Sequence, residues 1–78
     1  MANETGDLAM TPQPVSSSNI AAVGYDLGTQ TLTIEFRSGG TYEFYDVPEE
    51  VFQGLMAASS HGPYFQSEIR GRYRYVRV

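Results

Sequence analysis

The last nine residues hold four of the five arginines, Arg70, Arg72, Arg74 and Arg77, interleaved with Tyr73 and Tyr75. Arginine's planar fork grips phosphate bidentately and tyrosine stacks on unpaired bases, a combination suited to single-stranded RNA. Arg70, Arg72, Arg74, Tyr73 and Tyr75 are therefore the candidate nucleic-acid contacts. The same run also fits an edge strand whose charges discourage sheet-to-sheet association while its tyrosines pack on a core.

Elsewhere the chemistry is sparse. His61 is the only histidine and cysteine is absent, so a zinc site has no donor set and there is no thiolate nucleophile. Ser60 beside His61 has the residue types of a nucleophile and base. Adjacent residues in a helix-ending loop rarely point at each other, however, and a histidine near a helix C-terminus is explained by the dipole. Asp26, Asp46, Glu49 and Glu50 divide between a turn and a helix start, where turn and cap chemistry accounts for them. Gly39-Gly40 is followed by a strand pattern and no GK[ST], so it is not a phosphate loop. The reading is of a noncatalytic chain with no cofactor and no metal.

Nine acids against five arginines and no lysine give a formal net charge of -4. Such a balance opposes indiscriminate polyanion binding, and it conceals the basic tail. Absence of cysteine favours a cytoplasmic setting. Neither a basic, apolar leader nor a run of about 20 apolar residues is present, which argues against a signal peptide and a membrane span.

The elements that must position these residues can be read in turn. Residues 1–14, with Pro12 and Pro14 among polar residues, are expected to be a disordered lead-in to a single domain over 15–78. Ser16, Ser17 and Ser18 read as turn and cap residues. From Ile20 a strand begins, with Val23 and Tyr25 on one face. Thr31 to Phe36 alternates strictly, Leu32, Ile34 and Phe36 against Thr31, Thr33 and Glu35, as a sheet with one wet face requires. A loop of Leu27 to Gln30 pairs Asp26 with Thr31, Tyr25 with Leu32 and Val23 with Ile34. A three-residue loop of Ser38-Gly39-Gly40 pairs Arg37 with Thr41, Phe36 with Tyr42 and Ile34 with Phe44. Both registers put apolar side against apolar side.

Pro48 then opens a helix with Glu49 and Glu50 in its first turn. Val51, Phe52, Leu55 and Met56 form its apolar stripe through Ser59, and Gly54 marks a close approach to a strand. His61-Gly62-Pro63 ends it, and Pro63 starts a second short helix containing Tyr64, Phe65 and Ile69. Arg72 to Val78 is a final strand or an extended tail. The fold class is α+β: a three-stranded antiparallel meander with a helix on one face, a second short helix and a C-terminal strand.

The pattern resembles the KTSC domain, over roughly residues 16–73. The resemblance is carried by Ser17-Ser18 with Ile20, Val23-Gly24-Tyr25-Asp26, Leu32 with Ile34 and Phe36, and Gly40 with Tyr42, Phe44 and Val47-Pro48. Ala58, Ser60, Gly62, Tyr64-Phe65, Ile69-Arg70 and Tyr73 continue it. The family's tyrosine-any-tyrosine motif stands here as Tyr42-Glu43-Phe44, without the second hydroxyl. KTSC modules occur alone in bacterial and phage proteins and fused to some lysyl-tRNA synthetases, so the resemblance implies a small binding module and, by association, RNA. The alternative is a protein-interaction or homodimerisation module, using ten aromatics and an outer face of Thr33, Glu35, Glu43 and Tyr45. Tyrosines exposed beside arginines favour RNA; tyrosines exposed beside acids favour a protein partner.

Overall fold

The computed structural model describes residues 12–78. Five strands lie side by side in chain order, every neighbouring pair antiparallel: β1 (Gln13–Pro14), β2 (Ile20–Asp26), β3 (Thr31–Phe36), β4 (Thr41–Phe44) and β5 (Tyr75–Arg77). Two helices, α1 (Glu49–Ala57) and α2 (His61–Glu68), fill the connection from β4 to β5. The architecture is α+β, and the C-terminal strand joins the sheet beside β4.

The β2–β3 register is the expected one, with Asp26 opposite Thr31, Tyr25 opposite Leu32 and Val23 opposite Ile34. A bulge between Ile20 and Ala22 keeps Ile20 in the core despite the odd spacing. The β3–β4 register differs from expectation by two residues, with Ile34 opposite Tyr42 and Leu32 opposite Phe44. The turn is the reason. Gly39 donates its amide to the Phe36 carbonyl at 3.0 Å, and Phe36 donates to Gly40 at 3.0 Å. The loop is therefore Arg37-Ser38-Gly39, with Gly39 at φ +97° taking the left-handed position. A two-residue displacement preserves the period-2 faces, so the apolar side stays inward.

Most of the lead-in expected over residues 1–14 lies outside the described residues. Its end is structured: Gln13 and Pro14 pair with Val23 and Ala22. Proline is compatible with an outermost strand, where its missing N–H can face away from the ladder. Behind it, Arg37 holds the β1–β2 connection, donating to the carbonyls of Ser17 and Val15. Ser17 accepts the amides of Asn19 and Ile20 at 3.2 Å each, as turn chemistry predicts.

Ile20, Val23, Tyr25, Leu32, Ile34, Phe44, Val47, Leu55, Phe65 and Ile69 form one buried cluster. Both helices cover the inward face of the sheet, rather than α1 alone. Phe52 of α1 stacks on Tyr25, 4.8 Å between centroids and 9° between planes. Phe65 of α2 meets Phe36 and Phe44 edge-on at 5.4 and 5.5 Å. Gly54 faces not a strand but α2, because a Cβ there would run into the Tyr64 hydroxyl. α2 begins at His61 rather than Pro63. The His61 Nδ1 lies 2.8 Å from the Leu55 carbonyl, so the tautomer with a proton on that nitrogen donates to the last turn of α1.

Candidate nucleic-acid interface

Beyond Phe65 and Gln66 of α2, the β4–β5 end of the inward face is left open. Strand alternation places Tyr42, Phe44, Tyr75 and Arg77 there together, with Tyr42 opposite Arg77 and Phe44 opposite Tyr75. Five rings close into a circuit: Phe36 to Tyr42 (5.6 Å between centroids), Tyr42 to Tyr75 (5.8 Å), Tyr75 to Phe44 (5.5 Å), Phe44 to Phe65 (5.5 Å) and Phe65 back to Phe36 (5.4 Å). They line a depression of about 320 Å³, at the small end of the range of ligand clefts. Phe44 and Phe65 form its buried floor, while Tyr75 is 56% exposed on the rim.

Cations stand at that rim. Arg70 lines the cup, its guanidinium donating to the Gln66 Oε1 at 3.0 Å. The Arg77 guanidinium carbon lies 5.9 Å from the centre of the Tyr42 ring, within cation–π range. Exposed aromatic surface flanked by two arginines can receive a planar ring by stacking and an anion beside it.

Of the five residues expected to act together, only Arg70 and Tyr75 share this cup. Tyr73 is half-buried and packs against the core. Arg72 turns back on α2, donating to the Ser67 carbonyl at 3.1 Å. Arg74 falls on the opposite side of the sheet, its guanidinium 5.4 Å from the Tyr45 ring centre and 3.9 Å from Asp46. There Tyr45 donates to Glu43 at 3.0 Å, and this bond to a carboxylate, more than burial, holds its phenol above the usual value near 10. Arg70, Arg72 and Tyr73 lie in the turn before β5, whereas Arg74, whose carbonyl accepts from Tyr45, and Tyr75 separate because consecutive side chains of an extended chain point to opposite faces.

A model of the KTSC domain matches residues 16–73. The chain belongs to the KTSC family. A solved KTSC domain protein from Yersinia pestis is similar over 90% of this chain and 99% of its own, with a TM-score of 0.87 and 43% identity. A protein of Tsukamurella paurometabola is 47% identical over 85% of this chain and 98% of its own length. A lysine–tRNA ligase of Nostoc sp. is 47% identical over 61 residues, 78% of this chain but only 11% of the ligase. KTSC domains thus occur both as small proteins and as a small part of a much larger one.

Phe44 replaces the second tyrosine of the KTSC motif and is 4% exposed, so the missing hydroxyl would lie on the floor of the cup rather than on its rim. Phe36, Tyr42, Phe44, Phe65 and Gln66 line the cup, and Arg77 stands over the Tyr42 ring beside it; the sequence reading assigned none of them to the site. Their signal was the alternation itself: extending β4's inward set, Tyr42 and Phe44, across to β5 selects Tyr75 and Arg77 over Arg74 and Val76. Among the described residues, no His, Cys, Asp and Glu group is placed to hold a metal and no helix is long and apolar enough to cross a membrane.

Proposed function

We propose that this KTSC domain is a small noncatalytic module, working in the cytosol, that holds single-stranded RNA in the aromatic cup. Tyr42 and Tyr75 supply stacking surface, and Arg70 and Arg77 meet the backbone phosphates. The observation carrying this reading is the location of exposed rings and cations on one uncovered end of the sheet, in a chain whose net charge is -4. None of the residues lining the cup is acidic. A kindred segment within a lysine–tRNA ligase, a protein named for its action on tRNA, agrees with an RNA ligand.

Fluorescence anisotropy with labelled oligoribonucleotides over a range of salt tests the reading. Binding should be modest, and log affinity should fall against log salt with a slope of about 0.7 per phosphate contact. Arg70→Gln with Arg77→Gln should flatten that slope, whereas Arg74→Gln, on the other face, should leave it unchanged. Tyr42→Ala and Tyr75→Ala should each weaken binding by roughly 1–3 kcal/mol per stacked base without altering the slope. A protein-interaction reading has its own support in the uncovered edge of β5, where Val76 and Val78 are 49% and 64% exposed. A stable dimer in sedimentation, with no salt-dependent binding to any RNA at high micromolar protein, would establish that reading instead.

A further inference from the structure

The aromatic cup does not end at Phe36 and Phe65. Those two rings, with Ser38 and Gln66, also line a second depression of about 320 Å³, completed by Ser18, Asn19, Ile20 and Gly62. The two compartments are adjacent, sharing Phe36, Ser38, Phe65 and Gln66, and different in character. The first is walled by five aromatic rings; the second is rimmed by hydroxyls and carboxamides, and neither has an acidic lining residue.

The polar groups of the second compartment are available. Among the described residues, the Asn19 carboxamide and the Ser38 hydroxyl make no side-chain hydrogen bond, although the Asn19 backbone is anchored at both ends. Its amide donates to Ser17 Oγ and its carbonyl accepts from Arg37 at 2.8 Å. Gln66 accepts from Arg70 through Oε1, leaving its NH₂ as a donor toward the groove. Gly62 makes room for Asn19: a Cβ at that position would stand 3.1 Å from the Asn19 Nδ2. An anchored backbone, an unengaged carboxamide and a side-chain-free neighbour together make a reading head.

Resting on the RNA-binding reading, we infer that the groove takes two consecutive unpaired nucleotides, one base stacked in the aromatic cup and the next read by its edge in the Asn19 compartment. Arg70 lines the aromatic cup and is tied to Gln66, which lines both compartments, and so meets the phosphate that joins the two nucleotides. A carboxamide offers a donor and an acceptor side by side, the complement of the N6/N7 edge of adenine. The second nucleotide is therefore adenosine by preference, and Asn19 is its specificity-determining residue.

The test compares an octamer of uridine with the same octamer carrying one central adenosine, guanosine or cytidine. Adenosine should raise affinity about five- to tenfold, the lower end of what one bidentate base contact provides. Asn19→Ala should abolish that gain, so that the octamer with adenosine binds no more tightly than the uridine octamer. Gly62→Ala, which crowds the carboxamide from an independent direction, should also reduce it. Circular dichroism and thermal melting would verify that both variants fold. Equal affinity for all four octamers, or a preference that survives Asn19→Ala, overturns the two-compartment inference while the RNA-binding reading stands. Failure to bind any of the octamers overturns both.

Discussion

Tyr25 shows how one side chain can link sheet, loop and helix. Its hydroxyl donates to the Val47 carbonyl at 2.5 Å, and its ring stacks beneath Phe52. Burial raises the phenol above its ordinary value, with smaller contributions from Glu49 and Asp26. The unfolded chain then loses this proton first, near pH 10, whereas the folded one retains it. The contribution of Tyr25 is thus complete below about pH 10 and is lost as pH rises through the raised folded value. Tyr25→Phe should melt earlier at neutral pH, losing about 1–3 kcal/mol because a buried carbonyl is left unpaired. Its stability should also decline less steeply above pH 10 in chemical denaturation. Ile34 is fully buried and Thr33, its neighbour, is only half-buried on the other face. Ile34→Ala should cost about 2–4 kcal/mol and Thr33→Ala under about 0.5 kcal/mol, measured by urea titration. At this scale the sequence was candid about the core, because alternation separates Ile34 from Thr33. It was candid about only part of the site, because Tyr75 reaches Tyr42 through the β4–β5 pairing, which closes across both helices, and Arg70 joins them from the end of α2.

The elements meet at turns, and the turns account for what sequence reading got right and what it missed. In the β2–β3 hairpin the loop bounds follow from Asp26 and Thr31, so the register was legible. At the next hairpin, Ser38-Gly39-Gly40 offers two glycines for one left-handed position, and alternation cannot arbitrate because a two-residue displacement leaves the faces unchanged. Gly39 occupies that position in the three-residue loop, and Gly40 also has a positive φ, +109°. Gln30 is the contrasting case, an exposed non-glycine residue at φ +55° whose carbonyl accepts from Val47 at 2.9 Å. Left-handed backbone costs an ordinary residue about 1–2 kcal/mol, and glycine's extra unfolded freedom costs about 0.5–1 kcal/mol. Gln30→Gly should therefore stabilise by roughly 0.5–1 kcal/mol. Calorimetry should show a melting temperature a few degrees higher, with the loop carbonyl still bonded.

On the scale of the whole molecule, the KTSC fold puts the two ends of the described chain on opposite edges of the sheet, β1 at one and β5 at the other. The first four strands pair with immediate chain neighbours across short connections. β5 alone must wait for both helices, since its partner β4 precedes them. Closing that long connection carries the largest loop-closure entropy in the fold, so the β4–β5 ladder should assemble last and open first. In native-state hydrogen exchange, the amides of Tyr45 and Val78, which bond to Arg74 and Thr41 at 2.8 Å, should exchange well ahead of those shared by β2 and β3. Opening β5 removes Tyr75 from the cup and Arg77 from the Tyr42 ring while the buried cluster around Ile34 and Leu55 remains intact. Occupancy of the groove and closure of the last strand are consequently one equilibrium. A ligand that spans the cup acts as a clasp on the C-terminal end of the chain, slowing exchange at Tyr45 and Val78 in proportion to its saturation while leaving β2 and β3 untouched.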